Sequence, residues 1–206
     1  RTLFSPETAP GIVTSPDYLS NPLDGPSQLV FQHYRKVLNS SQGEVLDMVM
    51  RALSTNQMPN GNTVIVVQGP PGTGKSATIV CVVSLILGKL QRPEHAGRKI
   101  LICAASNAAV DVITRRLLKG IQIVIKDEKD PSRLRLVERA PSVLRIGPGC
   151  KDRELREVNL KDKVERELDR MRIFDERERS VKGKELEKNF LREADVWCST
   201  LMNTAQ

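Results

Sequence analysis

Apolar residues along this chain switch repeatedly between a helical and an extended rhythm. From Ser41 the positions Val45, Met48, Val49, Ala52 and Leu53 recur at helical spacing behind a Ser41/Glu44 capping box, which predicts a helix over about 41–53. Residues 63–67, Thr-Val-Ile-Val-Val, form a β-branched run without alternation, the pattern of a strand buried on both faces. Residues 75–90 are apolar almost all round and predict a buried helix, and 99–104 predict a second buried strand. A helix over 107–119 comes next, started by Ser106 or Asn107 and stopped at Gly120. Residues 142–146 and 195–199 read as two further short strands, while 121–125 fit either a helix end or a strand. Strands and helices alternating at this spacing predict an α/β fold with a parallel sheet flanked by helices.

Two stretches depart from this rhythm. Residues 1–28 hold five of the twelve prolines with Gly11 and Gly25, so 1–37 reads as an extended N-terminal connection or the remnant of a preceding domain. In 151–193, 27 of 43 residues are charged with the signs nearly balanced. Val164, Leu168, Met171 and Phe174 form a narrow apolar stripe there, and Gly183 offers a break before Leu186, Phe190 and Leu191. A charged helical hairpin inserted into the sheet domain is the expectation, leaving 38–150 and 194–206 as the sheet domain itself.

Composition narrows the class. With 206 residues, 39% hydrophobic and 28% charged, the chain can build one sizeable core and an appendage. Its four cysteines are scattered without a C-x-x-C pair, which suggests reduced thiols rather than a zinc site or a disulfide framework. No apolar run approaches the ~20 residues of a membrane span, and the N-terminus lacks a signal-peptide pattern. The expectation is a soluble intracellular protein without a membrane partner. Starting at Arg1 and ending in a polar string, it reads as a fragment of something longer. The net charge of +7 is concentrated in 92–145, which holds 12 basic and 6 acidic residues, the electrostatic footprint of a polyanion partner.

One motif carries chemistry. Gly69-Pro70-Pro71-Gly72-Thr73-Gly74-Lys75-Ser76 fits G-x-x-x-x-G-K-[ST] and lies between an expected strand and an expected helix, as its mechanism requires. Gly72 and Gly74 let backbone N–H groups turn inward on phosphate oxygens, and the helix N-terminus that runs on into Ala77 adds partial positive charge. Lys75 neutralises the β- and γ-phosphates, and the Ser76 hydroxyl is the Mg²⁺ ligand. A rival fingerprint, Gly72-x-Gly74-x-x-Ala77, fits dinucleotide binding. It requires an acidic residue at the end of the second strand, where this chain has Cys103-Ala104-Ala105-Ser106.

Leu101-Ile-Cys-Ala-Ala-Ser-Asn-Ala-Ala-Val-Asp111, together with 38–42 and the phosphate loop, resembles the first RecA-like domain of superfamily 1B helicases. The branch is that of senataxin and the nonsense-mediated-decay helicase, and the resemblance covers 38–206. It implies that Gln42 reads adenine, that the loop binds ATP and Mg²⁺, and that Ser106, Asn107 and Asp111 contact a nucleic-acid strand. Residues 143–147, with Arg145, resemble the next strand-binding motif, and 194–200, with Thr200, the one after. A charged helical insertion between these last two is also a family feature. Ala105 departs from the usual proline, and Leu201-Met202-Asn203 from the usual small residues.

The resemblance further implies a D-E-x-x-Q motif and a second RecA-like domain that complete the hydrolytic site. The Asp-Glu pairs present, Asp127-Glu128 and Asp175-Glu176, sit in charged stretches instead. The expectation is therefore the ATP-binding portion of an ATP-dependent RNA or DNA helicase or translocase, with Lys75 and Ser76 as its catalytic residues. Single-stranded RNA or DNA and the rest of the parent chain are the expected partners. By itself the fragment should bind nucleotide and hydrolyse it poorly. The resemblance implies nuclear residence, with the cytoplasm as the alternative. The competing expectation is a nucleotide-controlled interaction module that binds a protein partner through 151–193.

Overall fold

The computed structural model describes residues 25–54, 64–90, 97–126 and 134–202. Its elements run α1 (Gly25–Val37), α2 (Ser40–Ser54), α3 (Lys75–Leu90), β1 (Ile100–Ala104), α4 (Asn107–Leu118), β2 (Ile121–Lys126), β3 (Leu134–Arg139), β4 (Val143–Ile146), α5 (Arg153–Val158), α6 (Leu160–Arg170), α7 (Glu176–Glu193) and β5 (Val196–Thr200). Three strands form a parallel sheet in the order β1-β5-β4, with Val196 opposite both Ile100 and Val143. In the region ambiguous in sequence, 121–126 and 134–139 form an antiparallel ladder of β2 and β3, in which Ile121 faces Arg139.

Helix α3 is apolar all round because it serves two cores. Val83 and Leu87 pack with Ile100, Val110, Leu117 and Val196 between helix and sheet. Cys81 and Leu85 face the other way, onto Val30, Tyr34, Leu46 and Val124. Ser84 interrupts the apolar surface for a reason: its hydroxyl donates to the Gln122 carbonyl, while the Gln122 N–H donates to the Tyr34 hydroxyl at 3.1 Å. Both backbone groups of one β2 residue are thus satisfied by helices.

Tyr34 and Val30 belong to α1, a helix where an extended connection was expected. Leu29, Val30, Phe31 and Tyr34 recur at helical spacing and all join the core of α2 and α3. Proline and glycine in the preceding segment mask this short amphipathic pattern. The rest of that expectation, for residues 1–24, lies outside the described residues.

Two expected buried strands are altered. Residues 64–67 carry no ladder, with Val64 85% and Val66 81% exposed and Ile65 turned toward the α1–α2–α3 core. A β-branched run supplies the propensity, but a strand also needs a neighbour, and no described strand lies beside it. Strand β1 is covered on one face only: Ile100 is buried, while Leu101 and Cys103 are exposed.

Residues 151–193 fold as α5, α6 and α7, against β4. Leu144 meets Leu160, Val164, Leu168, Leu186 and Ala194 in a third core. Met171 and Phe174 drop out of the expected stripe and are exposed at the α6–α7 turn, Phe174 by 79%. Gly183 does not break α7. It is buried inside that helix, where an added Cβ would sit 3.7 Å from Val164 and 3.8 Å from Leu168.

Candidate nucleotide site and strand-facing turn

The phosphate loop occupies 69–76 and opens α3 at Lys75, as expected. Gly72 and Gly74 both have φ of +82°, the left-handed region in which a side chain is strained. The first turn of α3 carries no acidic residue to offset the positive end of its dipole. The N–H groups of Lys75 and Ser76 precede the first i→i−4 bond of the helix and have no intrahelical acceptor. The Lys75 ammonium donates to the carbonyls of Gly69 and Pro70, both at 2.6 Å, and the Thr73 hydroxyl donates to Pro70 at 2.9 Å. A lysine, two left-handed glycines and the unpaired N–H groups of a helix N-terminus make a donor set that fits a polyphosphate, with the Ser76 hydroxyl as an oxygen that would hold its magnesium ion.

Gln42 closes one side of this loop. The cap of helix α2 sits two residues earlier than the Ser41/Glu44 box implied. Asn39 is its cap, accepting from Gln42 N at 3.0 Å, while Asn39 N donates to Gln42 Oε1 at 3.3 Å. The other end of the same amide, Nε2, donates to the Thr73 carbonyl at 3.1 Å. An added Cβ on Gly74 would collide with that amide nitrogen. One side chain therefore caps α2 and braces the phosphate loop.

At the carboxyl end of β1 the chain turns into α4. Ser106 caps the helix, its hydroxyl accepting from Ala109 N at 3.2 Å, and both Ser106 and Asn107 are exposed. Asp111, one turn on, meets Arg145 of β4. The guanidinium Nε lies 2.6 Å from Asp111 Oδ1, with the two side chains 3% and 18% exposed. Arg145 Nη1 donates to the Pro148 carbonyl at 2.8 Å, and Nη2 reaches Asn107 Oδ1 at 3.5 Å. Arg145 is thus held inside the protein, between α4 and the loop after β4. Thr200 is likewise buried on β5, opposite Ala104, and the residues exposed beyond it are Leu201 and Met202.

Sequence reasoning missed these pairings because Arg145 and Asp111 lie 34 positions apart. A signal was nonetheless present in the arginine that interrupts the otherwise apolar β4. Of the two Asp-Glu pairs, Asp175 caps α7 by accepting from Glu178 N at 2.9 Å. Asp127-Glu128 lies outside the described residues.

The α/β architecture, with a parallel sheet and a phosphate loop at the start of a helix, defines a P-loop nucleotide-binding domain. The AAA domain family matches residues 37–182, and the chain belongs to it. Among curated proteins it is similar to the ATP-dependent helicase upf1 of Schizosaccharomyces pombe, 28% identical over 85% of this chain and 18% of that protein. The ATP-dependent helicase NAM7 of Saccharomyces cerevisiae is 34% identical over 79% of this chain and 15% of its own length. Helicase sen1 of Schizosaccharomyces pombe is 36% identical over 53% and 6%. The chain therefore spans less than a fifth of each of these relatives. Among the described residues, no helix is long and apolar enough to cross a membrane.

Proposed function

We propose that this chain is the ATP-binding part of an ATP-dependent helicase or translocase that moves along single-stranded RNA or DNA. The phosphate loop carries the reading: two left-handed glycines, a lysine held at the helix N-terminus and a glutamine amide bracing the loop. The names of the relatives point the same way. In this reading backbone N–H groups of 72–76 hold the phosphates, and Lys75 exchanges its loop carbonyls for β- and γ-phosphate oxygens. The Ser76 hydroxyl holds Mg²⁺, which when bound neutralises charge on the phosphate oxygens. Gln42, already beside the loop, reads the adenine edge. Ser106 and Asn107 offer the strand an exposed turn and a helix N-terminus, so contacts there go to phosphate and sugar. Exposed Arg98, Arg116, Lys119, Arg135 and Arg139 add positive charge elsewhere on the same domain. The rest of the parent chain supplies the Walker-B carboxylates and the second RecA-like domain. Nuclear residence belongs to the same reading.

The test is Lys75→Ala in the full natural protein. It removes a countercharge from a loop rather than a core group, so circular dichroism should show an intact fold while ATP hydrolysis disappears. Turnover near wild type would sink the assignment. The 206-residue chain alone should bind ATP·Mg²⁺ weakly with almost no turnover. Multiple turnovers at helicase-like rates would reveal that a carboxylate within it completes the hydrolytic site.

The exposed Phe174 and Val181 at the start of the second long helix of the insertion favour one other reading, a nucleotide-controlled protein-binding module. Nucleotide-dependent capture of a protein, without any affinity for RNA or DNA, distinguishes that reading from the first.

A further inference from the structure

The buried guanidinium of Arg145 is shared among three parts of the molecule. Its Nε pairs with Asp111 in the second turn of α4, and its Nη2 reaches Asn107 at the first residue of that helix. Its third direction, Nη1, donates to the Pro148 carbonyl in the loop that leaves β4 for the insertion. That carbonyl accepts a second bond, from Asn159 Nδ2 at 3.2 Å. Asn159 is fully buried, and its Oδ1 caps α6 by accepting from Asp162 N at 3.2 Å. Residues 145 and 159 also form a parallel backbone bridge. A parallel link joins the same two bodies, since Arg115 of α4 pairs at 2.9 Å with Asp152, the cap of α5.

A planar fork fixes direction as well as distance, because its donors diverge at set angles in one plane. Displacement of the Pro148 carbonyl therefore turns the guanidinium, and with it the first turn of α4. We infer that Arg145 and Asn159 are positioning residues for the Ser106–Asn107 turn, coupling the orientation of the helical insertion to nucleic-acid binding without touching the strand. This rests on the reading that the turn meets the strand. It gives 151–193 a regulatory role, in which a force or a partner on the insertion is felt at the turn through one buried hydrogen-bonded cluster.

The experiment uses the full natural protein with fluorescein-labelled oligouridylate and oligothymidylate, and anisotropy is read across a series of salt concentrations. Asn107→Ala tests the underlying reading and should weaken binding. Arg145→Lys keeps the charge and the reach to Asp111 but loses the fork. Asn159→Asp keeps the α6 cap and loses the donor to Pro148. Each should weaken binding about fivefold, a magnitude usual for coupling through a packed network. The double variant should be little weaker than either single one, because one network is broken in both cases. The slope of log affinity against log salt should stay at its wild-type value throughout.

A third variant separates positioning from contact. Replacing the pair together, Arg145→Met with Asp111→Leu, removes both buried charges. A direct phosphate contact predicts that the slope falls by about 0.7 for a single strand. Positioning predicts weaker binding at constant slope. If Asn107→Ala weakens binding while folded Arg145→Lys and Asn159→Asp bind as wild type, the inference is overturned. A slope that falls in the paired variant also overturns it. Should Asn107→Ala have no effect, the strand reading itself fails first. Should Arg145→Lys fold poorly, Asn159→Asp and the paired variant still decide.

Discussion

At residue 42 a single amide serves two masters, the cap of α2 and the phosphate loop, and those two bonds fix its orientation. The two duties can be separated. Gln42→Glu retains an acceptor for Asn39 N and loses the donor to Thr73, whereas Gln42→Ala loses both. One hydrogen bond of this kind is worth about 1 kcal/mol, or roughly fivefold. Both variants should lower ATP affinity by about that factor relative to other triphosphates in competition binding, with α2 less stable only in the alanine variant. Unchanged nucleotide preference would leave Gln42 as a cap and a brace of the loop, without a part in choosing the base. The cysteines give a second check. Burial pushes the Cys81 and Cys198 thiols up to about 11, while Cys103 is exposed on β1. Thiolate is the reactive form, so at about pH 8 Cys103 should alkylate first and the other two only after denaturation. Peptide mass spectrometry of the 206-residue chain reads the order directly. Equal labelling of all three would contradict the packing around α3 and β5. At this scale the phosphate loop was legible because its chemistry is contiguous in sequence. Arg145 was not, since nothing local says that its partners lie on α4 and in the loop after β4.

Elements with their own start and stop signals were read closely. Residues 75–90 form α3 as expected, and α4 begins after Ser106 and ends beside Gly120, where φ is +110°. The α2 cap shifted because Asn39/Gln42 and Ser41/Glu44 both satisfy the same box, and the folded chain uses the first, whose glutamine also reaches Thr73. Residues 64–67 show the opposite case, a segment whose local preference is strong but whose ladder depends on a neighbour from elsewhere. The Gly183 position yields a prediction from the same kind of reasoning. Its missing Cβ would meet Val164 and Leu168 at ordinary van der Waals distance, and glycine in a helix interior costs about 1 kcal/mol relative to alanine. Gly183→Ala should therefore stabilise the insertion by about 0.5–1 kcal/mol. Leu168→Ala, at a side chain 2% exposed, should destabilise it by about 2–5 kcal/mol. The chain has one tryptophan, Trp197, packed against this core with its indole N–H on the Leu191 carbonyl at 3.1 Å, so its fluorescence reports both melts. A lower melting temperature for Gly183→Ala would mean that α6 and α7 cannot give way by the small amount required.

At the scale of the whole molecule, the ion pair of Arg115 with Asp152 adds an acid-sensitive link to the apolar contact between the insertion and the sheet domain. The Arg115 hydrogen bond holds the Asp152 carboxyl below the usual carboxylate range. A lowered folded-state value means the pair adds stability above the unfolded carboxyl's titration near about pH 3.9, and that this is lost as pH falls through the folded value. Acid titration followed by Trp197 emission should show that loss, and Asp152→Asn should flatten it; an unaltered acid profile would show that the link does not bear on the insertion. Large-scale arrangement was the least legible level, because sheet order and the seating of helices depend on which distant surfaces fit. Helix α1 lies almost wholly ahead of residue 37, where the family match begins, yet its Val30 and Tyr34 cover Leu46, Leu85 and Val124 from outside that boundary. A recombinant protein trimmed to start at Leu38 would present those side chains to water and should collect in inclusion bodies, whereas one that starts ahead of Gly25 should stay in solution.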